Sequence, residues 1–261
     1  MSNTFHALAA FARLGWRETA SDRFGLLARV ILYSLPVLIY SAIWQATPLA
    51  GSGVSAEEAT WYVMATEAII FAPGYVFREV EEDIRTGAIE AALTRPVDYA
   101  LARIAEETGG TLLRLAVLGT YGGVLAWFAT GMVPFAWSAL PAVWTAAGFG
   151  ALLALLVQVA IGFLTVWVGN PAPAYWIWQK LVFVLGGLFL PLTLYPAWLA
   201  DIGRLTPCAA ILFHPASLVF DASPAAIVHV LSWQVLWLAA AAVLVAAVAG
   251  AATRRLVREG I

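Results

Sequence analysis

Six long apolar stretches constrain this sequence more than any other feature. Each is close to the roughly 20 residues that a helix needs to cross about 30 Å of hydrocarbon. Only 11% of the 261 residues are charged and 62% are hydrophobic, whereas soluble domains carry about 25% charged residues. Lipid must therefore be the solvent for much of the chain. The stretches cover residues 26–46, 59–77, 111–129, 140–168, 176–194 and 227–253.

These stretches predict an all-α integral membrane protein with six transmembrane helices. A backbone amide left unpaired in hydrocarbon costs several kcal/mol, so a segment that crosses the bilayer must satisfy its own hydrogen bonds. The strictly alternating pattern of barrel strands is absent from the sequence. We expect one transmembrane domain over residues 1–261.

The basic residues predict the orientation of the spans. Thirteen of the 14 Lys and Arg residues fall on one side of the six-span arrangement, and only Arg204 falls on the other. Because basic loops stay in the cytoplasm, we expect both termini to be cytoplasmic. The thirteen are Arg13, Arg17, Arg23, Arg29, Arg78, Arg85, Arg95, Arg103, Arg114, Lys180, Arg254, Arg255 and Arg258.

Residues 1–25 predict an amphipathic elbow helix that lies in the cytoplasmic interface. Apolar residues recur there at helical spacing, while Arg13 and Arg17 stand four residues apart on the other face. The alternative is a frayed leader with no fixed place. The apolar residues are Phe5, Leu8, Ala9, Ala12 and Trp16.

The segment 78–107 predicts a cytoplasmic loop that carries a short helix. Gly87 interrupts an acidic run, and Pro96 stops the helix that follows. Ile89, Ala92 and Leu93 form an apolar stripe at helical spacing. A stripe that faces the cytoplasm is explained by a protein partner. The alternative is that it folds back on the bundle.

Residues 191–224 predict short helices that re-enter the outer leaflet. The segment is too rich in proline for one helix and too apolar for a solvated loop, and broken helices buried against protein satisfy both conditions. Its prolines are Pro191, Pro196, Pro207, Pro215 and Pro224.

The sequence lacks the residue patterns of an enzyme. No phosphate-binding loop occurs, since Lys180 is the only lysine and follows Trp178 and Gln179. His6, His214 and His229 are scattered, and the single Cys208 cannot form an intrachain disulfide. We therefore expect no catalytic residue, no metal site and no cofactor in this chain.

Glu67 is an acidic residue near the middle of the second predicted span. An acidic side chain costs about 2.5–3.5 kcal/mol at the centre of a span, so it should face the bundle interior, a cavity or a partner. Arg114 in the third span is the candidate counter-ion, and Gln158 in the fourth is a second buried polar group. Lining a polar pathway and anchoring helix packing are both open roles for Glu67.

The order of these parts resembles the permeases of type-2 ABC exporters. The resemblance rests on the loop, where residues 83–87 read D-I-R-T-G and residues 93–97 read L-T-R-P-V. These are similar to the I-R-S-G and L-L-R-P motifs of a bacterial branch of that class. Residues 254–260 are similar to the end of that branch's chains.

The resemblance implies that residues 88–95 form a coupling helix that docks on a separate ABC ATPase subunit, present in two copies. It also implies a second permease subunit, identical or homologous, and a bacterial cytoplasmic membrane. ATP and Mg would be bound by the ATPase alone. The coupling candidates are Gly87, Ile89, Glu90, Leu93 and Arg95. The first, second and fifth spans would line the substrate path, with candidates Tyr40, Trp44, Glu67, Trp178 and Phe183.

The leading hypothesis is therefore the permease subunit of an ATP-driven exporter that works by alternating access. Only Lys180 and Arg114 are basic near the spans, which favours a neutral or cationic hydrophobic substrate over a strongly anionic polymer. An ATP-independent secondary transporter or channel is the alternative, although it would call for more intramembrane carboxylates or inverted repeats. An intramembrane enzyme is a third reading, which the absent nucleophile and metal patterns disfavour.

Overall fold

A computed structural model describes residues 2–47, 53–93 and 97–259, and these residues form helices and no strands. The helices are α1 Ser2–Ser21, α2 Arg23–Ala46, α3 Ala56–Phe71, α4 Val76–Arg85, α5 Ala88–Leu93, α6 Tyr99–Thr130, α7 Leu140–Phe163, α8 Thr165–Val168, α9 Ala172–Leu185, α10 Ala197–Arg204, α11 Pro207–Ile211, α12 Phe213–Ser217 and α13 Pro224–Glu259.

Four helical segments in the described ranges are long and apolar enough to cross a membrane. They are Arg23–Ala46, Tyr99–Thr130, Trp137–Val168 and Pro224–Arg258. The other two predicted spans contain α3 and α9, which have 16 and 14 residues. At 1.5 Å per residue these helices are only about 24 and 21 Å long. An all-helical membrane fold is thus confirmed, while the count of six spans stays a prediction.

Helix α7 lies at the centre of the bundle. In its segment, 67% of the most apolar window is buried, against 17–28% in the other three. Two glycines let neighbouring helices approach its backbone. A Cβ atom at Gly150 would lie 2.4 Å from the Ile211 carbonyl oxygen, and one at Gly162 would lie 2.7 Å from Cβ of Val80. These distances are too short for any side chain, so α11 and α4 pack directly on α7.

Helix α1 packs against the first half of α6. A Cβ atom added at Gly15 would lie 1.9 Å from the Glu106 carbonyl oxygen, and one at Gly109 would lie 1.9 Å from that of Ala12. The two backbones therefore cross in contact, each with a glycine at the crossing. The helix expected within residues 1–25 is present, whereas its position in a membrane interface stays a prediction.

The proline-rich segment 191–224 consists of short helices. A 3₁₀ turn at Leu192–Leu194 is followed by α10, α11 and α12. Proline begins or precedes several of them because its fixed φ suits a helix start. Most side chains from Cys208 to Ala216 are buried. Short buried helices are what the sequence predicts here, and their re-entry from an outer leaflet stays a prediction.

Candidate functional site

The predicted coupling segment is largely helical and lies between α4 and α6. Gly87 ends α4 in the left-handed conformation, with φ at +75°, which glycine adopts without a steric penalty. Its carbonyl oxygen then accepts a hydrogen bond from the Glu90 amide at 3.0 Å. Gly87 thus makes the turn from α4 into α5. The loop predicted for 78–107 is therefore two helices and the first turns of a third.

The expectation of an exposed apolar stripe is wrong at Ile89. This side chain is only 1% exposed and belongs to the main core, together with Val80 and Ile84 of α4. The outward surface of α5 is formed instead by Ala88, Glu90 and Ala91. The helix is too short to hold its place unaided, and Ile89 supplies the apolar contact that fixes it to the bundle. The alternative that the stripe folds back on the bundle therefore applies to this residue.

The remaining coupling candidates fall partly outside the described residues. Leu93 is the last residue of α5, but its side chain and that of Ala92 are not among those described. Arg95 and Pro96 lie in the gap 94–96, also outside the described residues.

A cluster of charged groups fixes α4 to the start of α6. Arg103 donates to Asp83 at 2.5 Å, to Glu79 at 3.2 Å and to Glu106 at 3.4 Å. The Tyr99 hydroxyl also donates to Asp83, at 2.5 Å. The pKa of the Glu79 carboxyl is raised, chiefly because burial disfavours its charge and also because Glu107 lies nearby. The two helices that flank α5 are thus joined by several charge-assisted hydrogen bonds.

A second, buried cluster surrounds Arg114, and it corrects the predicted counter-ion. Arg114 forms an ion pair with Glu107 of its own helix and not with Glu67. Its Nε atom donates to the Ala72 carbonyl oxygen at 2.6 Å, and its Nη1 atom donates to the Thr19 hydroxyl at 3.1 Å. The cluster therefore joins α1, the end of α3 and α6.

Two arginines satisfy the carbonyl groups at the end of α3. The last carbonyls of a helix have no partner within it, and here Pro73 prevents the helix from continuing. Arg29 donates a hydrogen bond to the Phe71 carbonyl oxygen at 2.6 Å, and Arg114 donates one to the Ala72 carbonyl oxygen. The Gly74 amide donates to Glu107 at 2.7 Å. The sequence did not predict this arrangement, because Glu107 was expected in a loop before the third span.

Glu67 lies in α3 with only 2% of its surface exposed. Among residues 2–47, 53–93 and 97–259 its carboxyl has no hydrogen-bond or ion-pair partner. The phenol groups of Tyr33 and Tyr40 lie close enough to interact with its charge. The expectation that Glu67 faces the bundle interior is met, and its role in a path stays a prediction.

The aromatic path candidates fall in two places. Trp178 and Phe183 of α9 line a cavity of about 310 Å³ between α2, α7 and α9, together with Arg29 and Gln158. The Oε1 atom of Gln158 is buried with no hydrogen-bond partner in the described chain.

Tyr40 and Trp44 lie apart from this cavity, in the second half of α2. Tyr40 stacks on Phe189 with ring centroids 4.5 Å apart. Trp44 is 8% exposed and packs with Ala59 at the start of α3. Glu67 lies on α3 between Ala59 and the residues that line the cavity. The five path candidates thus follow α2, α3 and α9, although the structure does not gather them into one site.

No group of three or more potential metal-ligating residues occurs in the described parts of the chain. His214 and His229 do lie together, with ring centroids 5.9 Å apart. His214 faces the Arg204 carbonyl oxygen at 3.2 Å and stacks on Trp233. These contacts show His214 packed among its neighbours.

Comparison with known proteins gives the family. A family model described as ABC-2 family transporter protein matches residues 26–260, which is most of the chain. Comparison with curated proteins gives no match. ABC-2 permeases are membrane transport subunits, generally without catalytic activity, and membership implies association with an ABC ATPase. The four long apolar helices agree with such a role. The chain therefore belongs to the ABC-2 family of transporter proteins and is a multi-pass membrane component of an ABC transporter.

Proposed function

We propose that this chain is the permease subunit of an ATP-driven exporter in a bacterial cytoplasmic membrane, with both termini in the cytoplasm. Two permease subunits, identical or homologous, would enclose the substrate path and act with two copies of a separate ATPase. ATP and Mg would be bound by the ATPase, and this chain would contribute no cofactor. Its work would be a conformational equilibrium that the partner biases by binding one state more tightly.

The proposal rests on the position of α5, which has one side exposed and the other packed against the core. Its outward surface, Ala88 and Glu90, is open to a partner, while Ile89 on the opposite side is embedded in the core. The flanking helices α4 and α6 are bound together through Arg103 and Asp83. A force applied to the outward surface of α5 would therefore move α4 and α6 with it.

The same force would reach the centre of the bundle. Helix α4 packs on α7 where Gly162 leaves no space for a side chain, with a hypothetical Cβ 2.7 Å from Val80. Closely packed helices transmit displacement because protein interiors have low compressibility. The cavity that contains Trp178 and Phe183 lies against α7. Movement of α4 and α7 would thus change the walls of the proposed substrate path.

In this proposal the coupling candidates have different roles. Gly87 makes the turn, Ile89 anchors the helix, and Glu90 belongs to the docking surface. Leu93 and Arg95 stay coupling candidates through the family resemblance alone. Substituting aspartate for Ile89 would bury an unpaired charge and damage the fold, so it cannot test docking. The exposed residues of α5 are the appropriate targets.

The test is the introduction of positive charge on the outward surface of α5. The chain is co-expressed with its ATPase, and the double variant Ala88→Arg, Glu90→Arg is compared with Asp201→Arg. Asp201 is exposed on α10, and its pair with Arg204 spans 3.6 Å. Exposed pairs of this kind contribute about 0–1 kcal/mol, so the control should stay folded.

We expect the α5 variant to lose co-purifying ATPase and vanadate-sensitive ATP hydrolysis, with an unchanged elution profile of the permease itself. The Asp201→Arg control should retain both. Full retention of ATPase and hydrolysis by the α5 variant would contradict the docking role of this helix.

A further inference from the structure

A second cavity, separate from the proposed path, lies between α3, α6 and α7. Its volume is about 570 Å³, which is within the range of sites that hold small organic molecules. Its floor consists of buried apolar side chains, among them Met64 and Ala68 of α3 and Leu115 of α6. None of the predicted coupling or path residues lines it.

Two glycines on α6 shape the wall of this cavity. A Cβ atom at Gly123 would lie 3.8 Å from the ring of Trp61, so a small side chain there would meet no obstruction. At Gly119 the added atom would be 2.6 Å from the ring of Trp144, which therefore lies directly on the helix backbone. The Trp61 indole is held in place by donating to the Met132 carbonyl oxygen at 3.0 Å. The cavity walls are thus fixed by packing and hydrogen bonds.

The mouth of the cavity lies on the outward face of a membrane-spanning helix. Val124 and Trp127 of α6 are each 49% exposed, and Trp137, just before α7, is 71% exposed. Apolar side chains exposed on a span face lipid wherever no other subunit covers them. Tryptophan is also enriched at the boundary between hydrocarbon and headgroups, which places the 131–140 connection near that boundary. The cavity is therefore open to the lipid chains of the adjoining leaflet.

The length of the cavity matches one leaflet. Its lining on α6 extends from Leu115 to Trp127, which is about 18 Å at 1.5 Å per residue. The hydrocarbon core is about 30 Å thick, so half of it is about 15 Å. Water is an unsuitable occupant, because a buried water needs two to four polar partners. Apart from tryptophan indoles, Thr120 carries the one polar side chain of this lining.

We infer that this cavity binds an acyl chain of a membrane lipid from the leaflet adjoining the 131–140 connection. The lipid headgroup would remain at the interface near Trp127 and Trp137, and the chain would run along α6 toward Leu115. The contacts are apolar, so the site selects a hydrocarbon chain and makes no demand on headgroup chemistry.

The inference is tested by photo-crosslinking in nanodiscs. The permease is reconstituted in phosphatidylcholine that contains a small fraction of lipid with a diazirine in the middle of one acyl chain. After irradiation, adducts are mapped by peptide mass spectrometry. We expect adducts at the floor residues Met64 and Ala68, which are only 8% and 3% exposed, as well as at exposed residues such as Val243.

Variants that fill the cavity provide the decisive comparison. Gly123→Leu projects a side chain into the cavity, and Thr120→Phe narrows its mouth from an exposed position. Both should reduce the floor adducts at least about tenfold while leaving those at Val243 unchanged. Gly148→Leu is the matched control, since a Cβ atom there meets nothing within 4 Å and Gly148 does not line the cavity.

Three results would overturn the inference. In the first, the wild-type floor carries no adduct while Val243 is labelled, which means that the cavity is closed or covered by another protein. In the second, the floor adducts persist in both filled variants. In the third, Gly148→Leu removes them as completely as Gly123→Leu.

Discussion

The buried ion pair between Arg114 and Glu107 offers the sharpest test of the packing described above. Both side chains are about 90% buried, with exposures of 10% and 11%. Arg114 also donates a hydrogen bond to the Ala72 carbonyl oxygen, and Glu107 accepts one from the Gly74 amide. Removing one partner leaves the other charge without compensation inside the protein. Removing both leaves neutral groups.

The two cases differ in expected magnitude. Breaking a buried pair by removing one partner costs about 3–5 kcal/mol, so Arg114→Met should lower the free energy of unfolding by that amount. In the double variant Arg114→Met, Glu107→Gln, the glutamine oxygen can still accept from the Gly74 amide. The main remaining loss is the unpaired Ala72 carbonyl, at about 1–3 kcal/mol. The double variant should therefore be more stable than Arg114→Met alone, by about 2 kcal/mol.

The measurement is an equilibrium unfolding series in mixed micelles, with helix content followed by circular dichroism. The control is Arg204→Met, because the pair of Arg204 with Asp201 is exposed and should contribute about 0–1 kcal/mol. If Arg114→Met unfolds within about 1 kcal/mol of the wild type, the cluster does not hold the helices together. A double variant that is less stable than Arg114→Met would refute the charge argument, even if both variants are destabilised.

Two further predictions follow from single residues. Because Glu67 is 2% exposed and has no ionic or hydrogen-bond partner in the described chain, Glu67→Gln should leave the free energy of unfolding unchanged or higher. Transport by the assembled complex should fall, and normal transport by the folded variant would remove Glu67 from the path. Gly162→Ala should destabilise the bundle by about 1–3 kcal/mol, since its Cβ would overlap Val80. Gly148→Ala should instead be neutral or stabilising by up to about 1 kcal/mol, and equal effects in the same unfolding assay would contradict the packing of α4 on α7.

Local patterns in the sequence were sufficient to predict the helical membrane fold. Hydropathy is a property of each segment, and four of the six predicted stretches correspond to helices long enough to span a bilayer. The turn at Gly87 and the short helices of segment 191–224 were likewise predictable, because glycine and proline act on the backbone next to them. Whether α3 and α9 cross the bilayer depends on their tilt and on the helices beside them. The hydropathy of a segment reports neither.

The errors arose where a side chain could face either of two surroundings. The stripe that includes Ile89 is compatible with a partner or with the bundle, and only tertiary packing places Ile89 in the core. The partner of Arg114 was missed because α6 begins at Tyr99, 12 residues before the predicted span. Asp98 caps its first turn by accepting from the Leu101 amide. That cap is readable in the sequence, and it would have placed Glu107 two turns before Arg114 on the same helix face.

The central claim is that the chain works as a membrane subunit of a complex whose energy comes from a separate ATPase. The most direct measurement is purification of the tagged chain from its native membrane in mild detergent, followed by assay of vanadate-sensitive ATP hydrolysis and reconstitution into liposomes. We predict that an ABC ATPase co-purifies, that the preparation hydrolyses ATP, and that vanadate abolishes both hydrolysis and solute movement. A chain that emerges alone from cells containing all its partners, and still moves solute without ATP, would contradict the claim and identify an ATP-independent transporter or channel.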